Sequence, residues 1–486
     1  MVTALTLVFG VLLAGSLVYC ILVMLATSRY LSVIPPAPRS TPGISILKPL
    51  CGHDEGLEEN LRSFFVQEYP NYEIIFGVHR PDDPAAAVAE KMIQEFSGSA
   101  VNARLVVTGE SQIPNAKAYS LNRLVREAQY GLLVMCDSDV RVEPDLLSRL
   151  AREFENSRVG LITCPYRAVP GKSLWSRTEA AGMNTELLGG VMVARMIEGM
   201  RFALGCTIAV RREVLDAMGG FGYLQEFLAE DFVIGQRTAE MGWQVLLSSA
   251  VIQHRIGSQA MLRNFAHRLR WARSTRRSRP AGYWGQLFTY PLPLALLLVA
   301  LWPAAWPLLI ATVALRGAAA IATAGFVVHD PLLRRQWWLL PLQDVLGFLV
   351  WLGGFLGDKI VWRDRKCTVL RDGRLHVNPS KEVRLQTIPL KLMRFRGICS
   401  SGPQISYLLA AGQLLEIIFT FFTLNVLCEA EEEPMLPEDE EPLEAELPLG
   451  LVLVLALPLG LVLELPLGLE LALSPAPLPS EPLIRT

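Results

Sequence analysis

The sequence predicts an α/β fold: a doubly wound, mostly parallel sheet with N-terminal and C-terminal transmembrane or interfacial helices. Three observations carry this. Apolar strands alternate with amphipathic helices from residue 44 to about 166. Acidic residues recur just past the ends of those strands, where open α/β sheets bind ligands. Long uncharged stretches lie on both sides of the alternating region.

Taken in order, residues 2–26 carry no charge. At ~1.5 Å per residue they can cross a hydrocarbon core of about 30 Å. A cleaved signal would want a basic leader and a shorter apolar core, so the segment reads as an uncleaved anchor, residues 1–28. Arg29, Arg39 and Lys48 follow it and place the next domain in the cytoplasm. Residues 29–43 are a Pro-rich linker. From 44 to 280 the pattern is that of one α/β domain. Strands are expected at 44–50, 72–79, 103–108, 131–136 and 159–166, and helices at 57–69, 84–96, 116–128 and 144–154.

Residues 281–378 return to apolar character. The stretch 287–328 is long enough for two spans, and 337–357 for one. Arg334, Arg335 and the cluster Arg363, Arg365, Lys366 both read as cytoplasmic, and one span cannot join them. Either 337–357 is re-entrant or interfacial, or 287–328 is not two full spans. Residues 379–486 are a low-complexity tail, with a possible further span at 405–427 and LPLG repeated at 447, 457 and 465. Pro and Gly at that density disfavour a stable helix.

The net charge of −2 conceals an asymmetry. Residues 429–486 hold thirteen acids and one base, so the first 428 residues carry about +10. A basic body suits anionic lipid surfaces and phosphate-bearing ligands, and nucleic acid is not an expected partner. The eight cysteines are scattered without CxxC spacing, which argues against zinc and for buried thiols in a reducing compartment.

The chemistry-bearing residues follow the strands. In VMCDSDVRV an apolar strand stops at Asp137 and Asp139. Two close carboxylates repel unless a cation bridges them, and Mg²⁺ or Mn²⁺ takes one or two carboxylates plus phosphate oxygens. The bland alternative is a solvated turn. Asp82 and Asp83 follow the strand at 72–79, again at a carboxyl end, where a turn is an equal reading. Glu230 and Asp231, in LAEDFVIG, lie ahead of a helix, where Asp is a general base or an N-cap. His267, Arg270 and Trp271 sit on a basic helix before the membrane region. They are interfacial anchors, or a clamp for diphosphate and a floor for an acceptor.

Their order is more specific than any one of them. The set resembles the D, D, D, (Q/R)xxRW glycosyltransferases, and more closely the ceramide glucosyltransferase-like family 21, including its bacterial hopanoid-associated members. The matching stretches are ISILKPLCGHDEGLEENLRSFFVQEYPNYEIIFGV, DDPA, CDSDVRVEPDLL, GCTIAVRREVLDAMGGF, LAEDFVIG, RLRWAR and the closing segment WRDRKCTVLRDGRL. They cover roughly residues 1–378. The resemblance implies a GT-A type, Rossmann-like catalytic domain. It implies a uracil or ribose contact at Asp83 with Asp82 beside it, nucleotide-sugar contacts at Lys117 and Asp137, metal at Asp137 and Asp139, and the base at Asp231. His267 stands where Gln or Arg is usual.

The expectation is therefore an inverting transferase carrying a hexose, glucose or N-acetylglucosamine, from a UDP-sugar to a lipid hydroxyl of ceramide or hopanoid type. It would act at the inner membrane with Mg²⁺ or Mn²⁺. The alternatives are a polysaccharide synthase of the same superfamily and a non-catalytic, membrane-anchored nucleotide-sugar-binding protein.

Overall fold

The computed structural model describes residues 2–377, apart from 38, 112, 114, 363, 364, 371 and 372, and two strands near the C-terminus. Helix α1 (Val2–Leu31) comes first. Strand β1 (Ile44–Pro49), helix α2 (Leu57–Phe65), strand β2 (Tyr72–Val78), helix α3 (Pro84–Glu95), strand β3 (Asn102–Val107), helix α4 (Ala116–Glu127) and strand β4 (Leu132–Cys136) then alternate as expected. Next are the two-residue strand β5 (Val140–Arg141), helix α5 (Leu146–Glu153), and strands β6 (Val159–Thr163) and β7 (Tyr166–Pro170). Helix α6 (Leu174–Gly182) passes through a π turn into α7 (Leu188–Glu198). Strand β8 (Thr207–Arg211) leads to the short helices α8 (Arg212–Ala217) and α9 (Gly220–Leu224), then α10 (Glu230–Glu240), strands β9 (Gln244–Leu247) and β10 (Ile252–Ile256), and the long helix α11 (Met261–Ser278).

The main sheet has the order β3-β2-β1-β4-β8-β6-β9, with only β8 running against its neighbours. It is the mostly parallel, Rossmann-like sheet expected. Its central strands are mostly apolar and buried because both faces are covered. Successive residues split between the faces, as the period of two requires. Ile44, Ile46, Ile74, Phe76, Val134 and Cys136 pack with α2, α3 and α5. Leu47, Ile75, Leu133 and Met135 pack with α4 on the other face. That second core also takes in Cys20, Val23, Ala26 and Tyr30 of α1, so the N-terminal helix is built into the α/β domain. A second sheet, β5-β10-β7, lies beyond the end of β4.

Two expected elements are shorter than their apolar patterns. The helix at 57–69 stops at Phe65. Pro70 disfavours helix before it, and Gln67 leaves the helix to bond the backbone of Glu143 and Leu147. The strand at 159–166 breaks at Cys164 and Pro165, and its two halves join different sheets.

Beyond α11 come α12 (Pro280–Gly285), α13 (Pro291–Leu301), α14 (Trp306–Ala320, continued as a π turn to Val327), α15 (Pro331–Arg335) and α16 (Leu339–Gly353). Thr3–Leu31 and Pro303–Val327 are long and apolar enough to cross a membrane, and Pro280–Leu301 makes a third candidate bent by 60°. On α1 the buried positions Leu13, Ser16, Cys20, Val23, Thr27 and Tyr30 recur every three or four residues. Leu7, Val11, Val18 and Leu25 face outward. This is the helical period of a helix with one packed side and one exposed apolar side.

Helix α16 is shorter than the apolar stretch 337–357 that contains it. Its 15 residues give about 22 Å, too short for a ~30 Å core. It packs on α6, α11 and α13. Asp344 is fully buried against Arg316 of α14 at 2.8 Å. The chain then forms β11 (Lys359–Trp362), β12 (Arg365–Val369) and β13 (Leu375–Val377), an antiparallel sheet. Its core closes on Leu228, just before α10.

Contacts divide the chain into two units, Met1–Phe422 and Thr423–Thr486. Within the second, β14 (Leu451–Ala456) pairs antiparallel with β15 (Val462–Leu467). The expected span at 405–427 lies outside the described residues.

Candidate active site

The site forms where β1, β2 and β4 end. By strand alternation Asp137 faces α4, and there Lys117 meets it, Nζ to Oδ1 at 2.6 Å. Lys117 also reaches Glu230 Oε1 at 3.4 Å and donates to the Gly205 carbonyl at 3.2 Å. Glu230 is held by Asn115, whose Nδ2 donates to Oε2 at 2.9 Å and to the Phe227 carbonyl at 2.9 Å. Asn115 is also the N-cap of α4, accepting from Ala118 N–H. One side chain thus starts the helix that carries Lys117 and fixes the carboxylate that Lys117 meets.

Asp231 follows in the first turn of α10, its Oδ1 accepting from the Phe232 N–H at 2.9 Å. Its Oδ2 lies 2.7 Å from where a β-carbon on Gly205 would stand. Only glycine leaves room for that carboxylate. Burial pushes the Asp231 pKa up to about 7, and the neighbouring Glu230 charge adds to it, while Lys117 pulls the other way. The closing segment supports this corner from outside. Leu375 N–H donates to the Glu226 carbonyl at 2.9 Å, and Arg374 bridges Phe227.

Asp139 turns to the second sheet, where His254 Nε2 lies 3.1 Å from Oδ2. Its Oδ1 is buried with no partner. Burial raises the Asp139 carboxyl, but the His254 charge outweighs it and holds the pKa below the ordinary value. Asp137 goes the other way: burial and the Asp139 charge lift it against the pull of Lys117.

The turn between them is pinned from below. Lys48, 0% exposed at the end of β1, donates to the Asp137 carbonyl at 2.8 Å with its ammonium 3.9 Å from the centre of the Phe64 ring. Burial lowers its pKa to about 8. Asn60 donates to the Ser138 carbonyl at 3.3 Å, and Ser138 Oγ donates to Asp54 at 2.6 Å.

Asp83 is an N-cap, accepting from Ala85 N–H, and it also accepts from Gly52 N–H, both at 2.9 Å. It ties the β2 end to the β1 loop. Asp82 is exposed beside Arg80 at 3.2 Å. On α11, His267 Nδ1 lies 3.0 Å from the buried Glu179, and its ring packs on Trp271 with centroids 4.9 Å apart and planes tilted by 52°. Trp271 packs on the core that holds Cys136, Tyr166 and Cys206, and Arg270 is half-buried.

Lys117, Asp137 and Asp231 therefore converge, with Asp139 at the same turn. Asp83 joins them through the β1 loop, and Asp82 stands apart. The sequence reading marked Glu230 only as the neighbour of Asp231, and did not single out His254, Glu179 or Lys48 as parts of the site. Only Lys48 left a signal, a lone charge inside the apolar strand ISILKPL.

Among the described residues no cluster of three or more His, Cys, Asp or Glu could enclose a metal. The donor set fits a substrate-borne ion instead. Two hard carboxylates, one with a buried oxygen lacking any partner, suit a divalent cation whose remaining ligands are phosphate oxygens and water.

The sequence profile of glycosyl transferase family 21 matches residues 8–375, about three quarters of the chain. The chain belongs to glycosyl transferase family 21. Ceramide glucosyltransferase 3 of Caenorhabditis elegans is 28% identical over 211 residues, 43% of this chain and 45% of that protein. Ceramide glucosyltransferase of Komagataella phaffii is 35% identical over 132 residues, 25% of each chain. Beta-monoglucosyldiacylglycerol synthase of Trichormus variabilis is 23% identical over 246 residues, 48% of this chain and 49% of that protein. The chain thus matches at most about half the length of these curated relatives. Among solved structures, a mannosyltransferase from Pyrobaculum calidifontis in complex with GDP-Man and Mn²⁺ aligns over 72% of this chain and 99% of its own. Its TM-score is 0.43, at 18% identity.

Proposed function

We propose that this family 21 protein transfers a hexose, glucose or N-acetylglucosamine, from a UDP-sugar to the hydroxyl of a membrane lipid of ceramide or hopanoid type, with inversion. One observation carries the reading. A half-buried carboxylate with its pKa near 7, Asp231, sits beside the Lys117–Asp137 pair in a domain whose core is continuous with a membrane-length helix.

In this reading the nucleotide lies across the ends of β1, β2 and β4. Asp83, with Asp82 at its edge, faces the uridine. Asp137 and Asp139 would hold Mg²⁺ or Mn²⁺, which supplies positive charge to the diphosphate when bound. Asp231 takes the proton of the acceptor hydroxyl as that oxygen attacks the anomeric carbon. The bond from the anomeric carbon to the phosphate oxygen breaks, and UDP leaves with the electron pair. Lys117 moves from Asp137 towards the leaving diphosphate, and Arg270 adds a second cation. Trp271, kept in place by His267 and Glu179, floors the acceptor site.

The helix ends support a membrane-surface site on the basic, cytoplasmic side of an inner membrane. The inner ends of α1 and α14 lie together, at Tyr30 and Val327, against the catalytic domain. A lipid hydroxyl arriving at the headgroup layer would meet that surface.

The test is acceptor-dependent release of UDP. Purified protein with a UDP-hexose should release UDP when given ceramide or a hopanoid polyol, and form a β-linked glycolipid from the α-linked donor. Release without acceptor, a polymeric product, or an α-linked lipid would each count against the reading.

A further inference from the structure

We propose that the cavity between the second sheet and the inner ends of α1 and α14 binds the headgroup of a phospholipid carrying both a phosphate and a primary ammonium. The cavity measures about 340 Å³, within the usual range for small-molecule sites. Tyr30 and Phe326 form its apolar side, and Glu143, Asp145, Arg149 and Arg167 its charged side. It is a separate place from the transferase site. His254 of β10 faces Asp139, while the next residue back, Gln253, lines the cavity.

Three observations converge there. The first is Arg167. Among the described residues its Nη1 reaches only the carbonyls of Val328 and His329, at 3.5 and 3.4 Å, and its Nε is buried with no partner. A guanidinium has five donors in a fixed fork, so this one lacks an acceptor of the kind a phosphate supplies.

The second is charge balance. Two guanidinium groups face two carboxylates across one small space. Arg149 Nε is already held by Asp145 at 2.7 Å, and Gln253 Nε2 donates to Glu143 at 3.3 Å. A purely anionic headgroup would place its phosphate at Arg167 and bring no cation to Glu143 and Asp145. A zwitterion places phosphate at Arg167 and ammonium at the carboxylates. A primary ammonium donates hydrogen bonds there, and a quaternary one has none to give.

The third is backbone strain. His329, at the cavity rim, has φ +49, the one positive value for a non-glycine among the described residues. Such conformations persist where the surroundings enforce them, often at ligand clamps. Here it turns the chain so that the His329 carbonyl meets Arg167. The position also fits a lipid. The cavity changes from apolar to charged where two membrane-length helices end.

The experiment is native mass spectrometry of the full chain from nanodiscs holding equal phosphatidylethanolamine, phosphatidylcholine and phosphatidylglycerol. One phosphatidylethanolamine should stay bound, with about a tenfold preference over phosphatidylcholine, the scale of one charge-assisted hydrogen bond. Arg167→Gln should lose it and Arg167→Lys should keep part of it. Should Arg167→Gln fail to fold, Glu143→Gln should keep lipid but lose the choice between ethanolamine and choline. Equal retention of all three lipids, preference for phosphatidylglycerol, or retention unaffected by these substitutions would overturn the proposal. So would equal protection of delipidated protein against heat by soluble O-phosphoethanolamine, which would make the lipid irrelevant. No readout involves sugar transfer, so failure here leaves the proposed reaction standing, and the reverse holds too.

Discussion

Gly205→Ala tests the placement of the base without altering the base. The added methyl would stand 2.7 Å from Asp231 Oδ2 and 3.2 Å from its Cγ, against an ordinary contact of 3.4 Å or more. The carboxylate must retreat by about 0.7 Å. Asp231 is fixed at the backbone in the first turn of α10, so the movement falls on its side chain. Gly205 does not have a positive φ, so alanine adds no backbone strain there. A displacement of ~1 Å at a reacting group costs on the order of 100-fold in rate. We therefore expect kcat to fall by roughly 10- to 100-fold, about 1.4–2.7 kcal/mol in the barrier. The Gly205 carbonyl still accepts from Lys117, so donor affinity should hold. Steady-state transfer to a short-chain lipid acceptor, with donor binding followed by calorimetry, reads both quantities. A variant with wild-type kcat would refute the claim that this carboxylate position matters.

Three further outcomes are expected. With Asp231 raised to about 7, kcat/KM should climb with pH through an acidic limb near 7, because the ionised form is the base; a limb near 4 would contradict the burial argument. Lys117→Met frees the Asp137 oxygen it now occupies, so Mn²⁺ alone should bind roughly tenfold tighter while the donor KM rises; unchanged Mn²⁺ affinity by electron paramagnetic resonance would count against that competition. Asp344→Ala strands a buried guanidinium and should cost about 3–5 kcal/mol in thermal unfolding in detergent, whereas Arg316→Met with Asp344→Leu should recover much of it.

The sequence displayed what depends on local pattern. Continuous apolar runs such as LLVMC marked the parallel sheet, and abrupt acids marked the strand ends where the proposed site lies. Partners distant in the chain were not legible. His254 holds Asp139 from 115 residues away, and Asn115 holds Glu230 across the same separation. No spacing rule connects them, because the fold alone sets that distance. The membrane region shows the same limit. The stretch 337–357 has the composition of a span, yet α16 is too short, and Gln343 and Asp344 are buried against partners on other helices. Hydropathy averages over such a pair and misses it. His267 departs from the usual residue of its motif, and its partner Glu179 lies 88 residues earlier, on α6.

The central claim is that Asp231 is the base of a lipid-directed transfer, and Asp231→Asn tests it most directly. Purified variant in lipid nanodiscs should bind UDP-hexose with near wild-type affinity. Its transfer to the lipid hydroxyl should fall by roughly 10²- to 10⁴-fold, the range for loss of a general base. Normal transfer by this variant, or loss of donor binding together with transfer, would contradict the account.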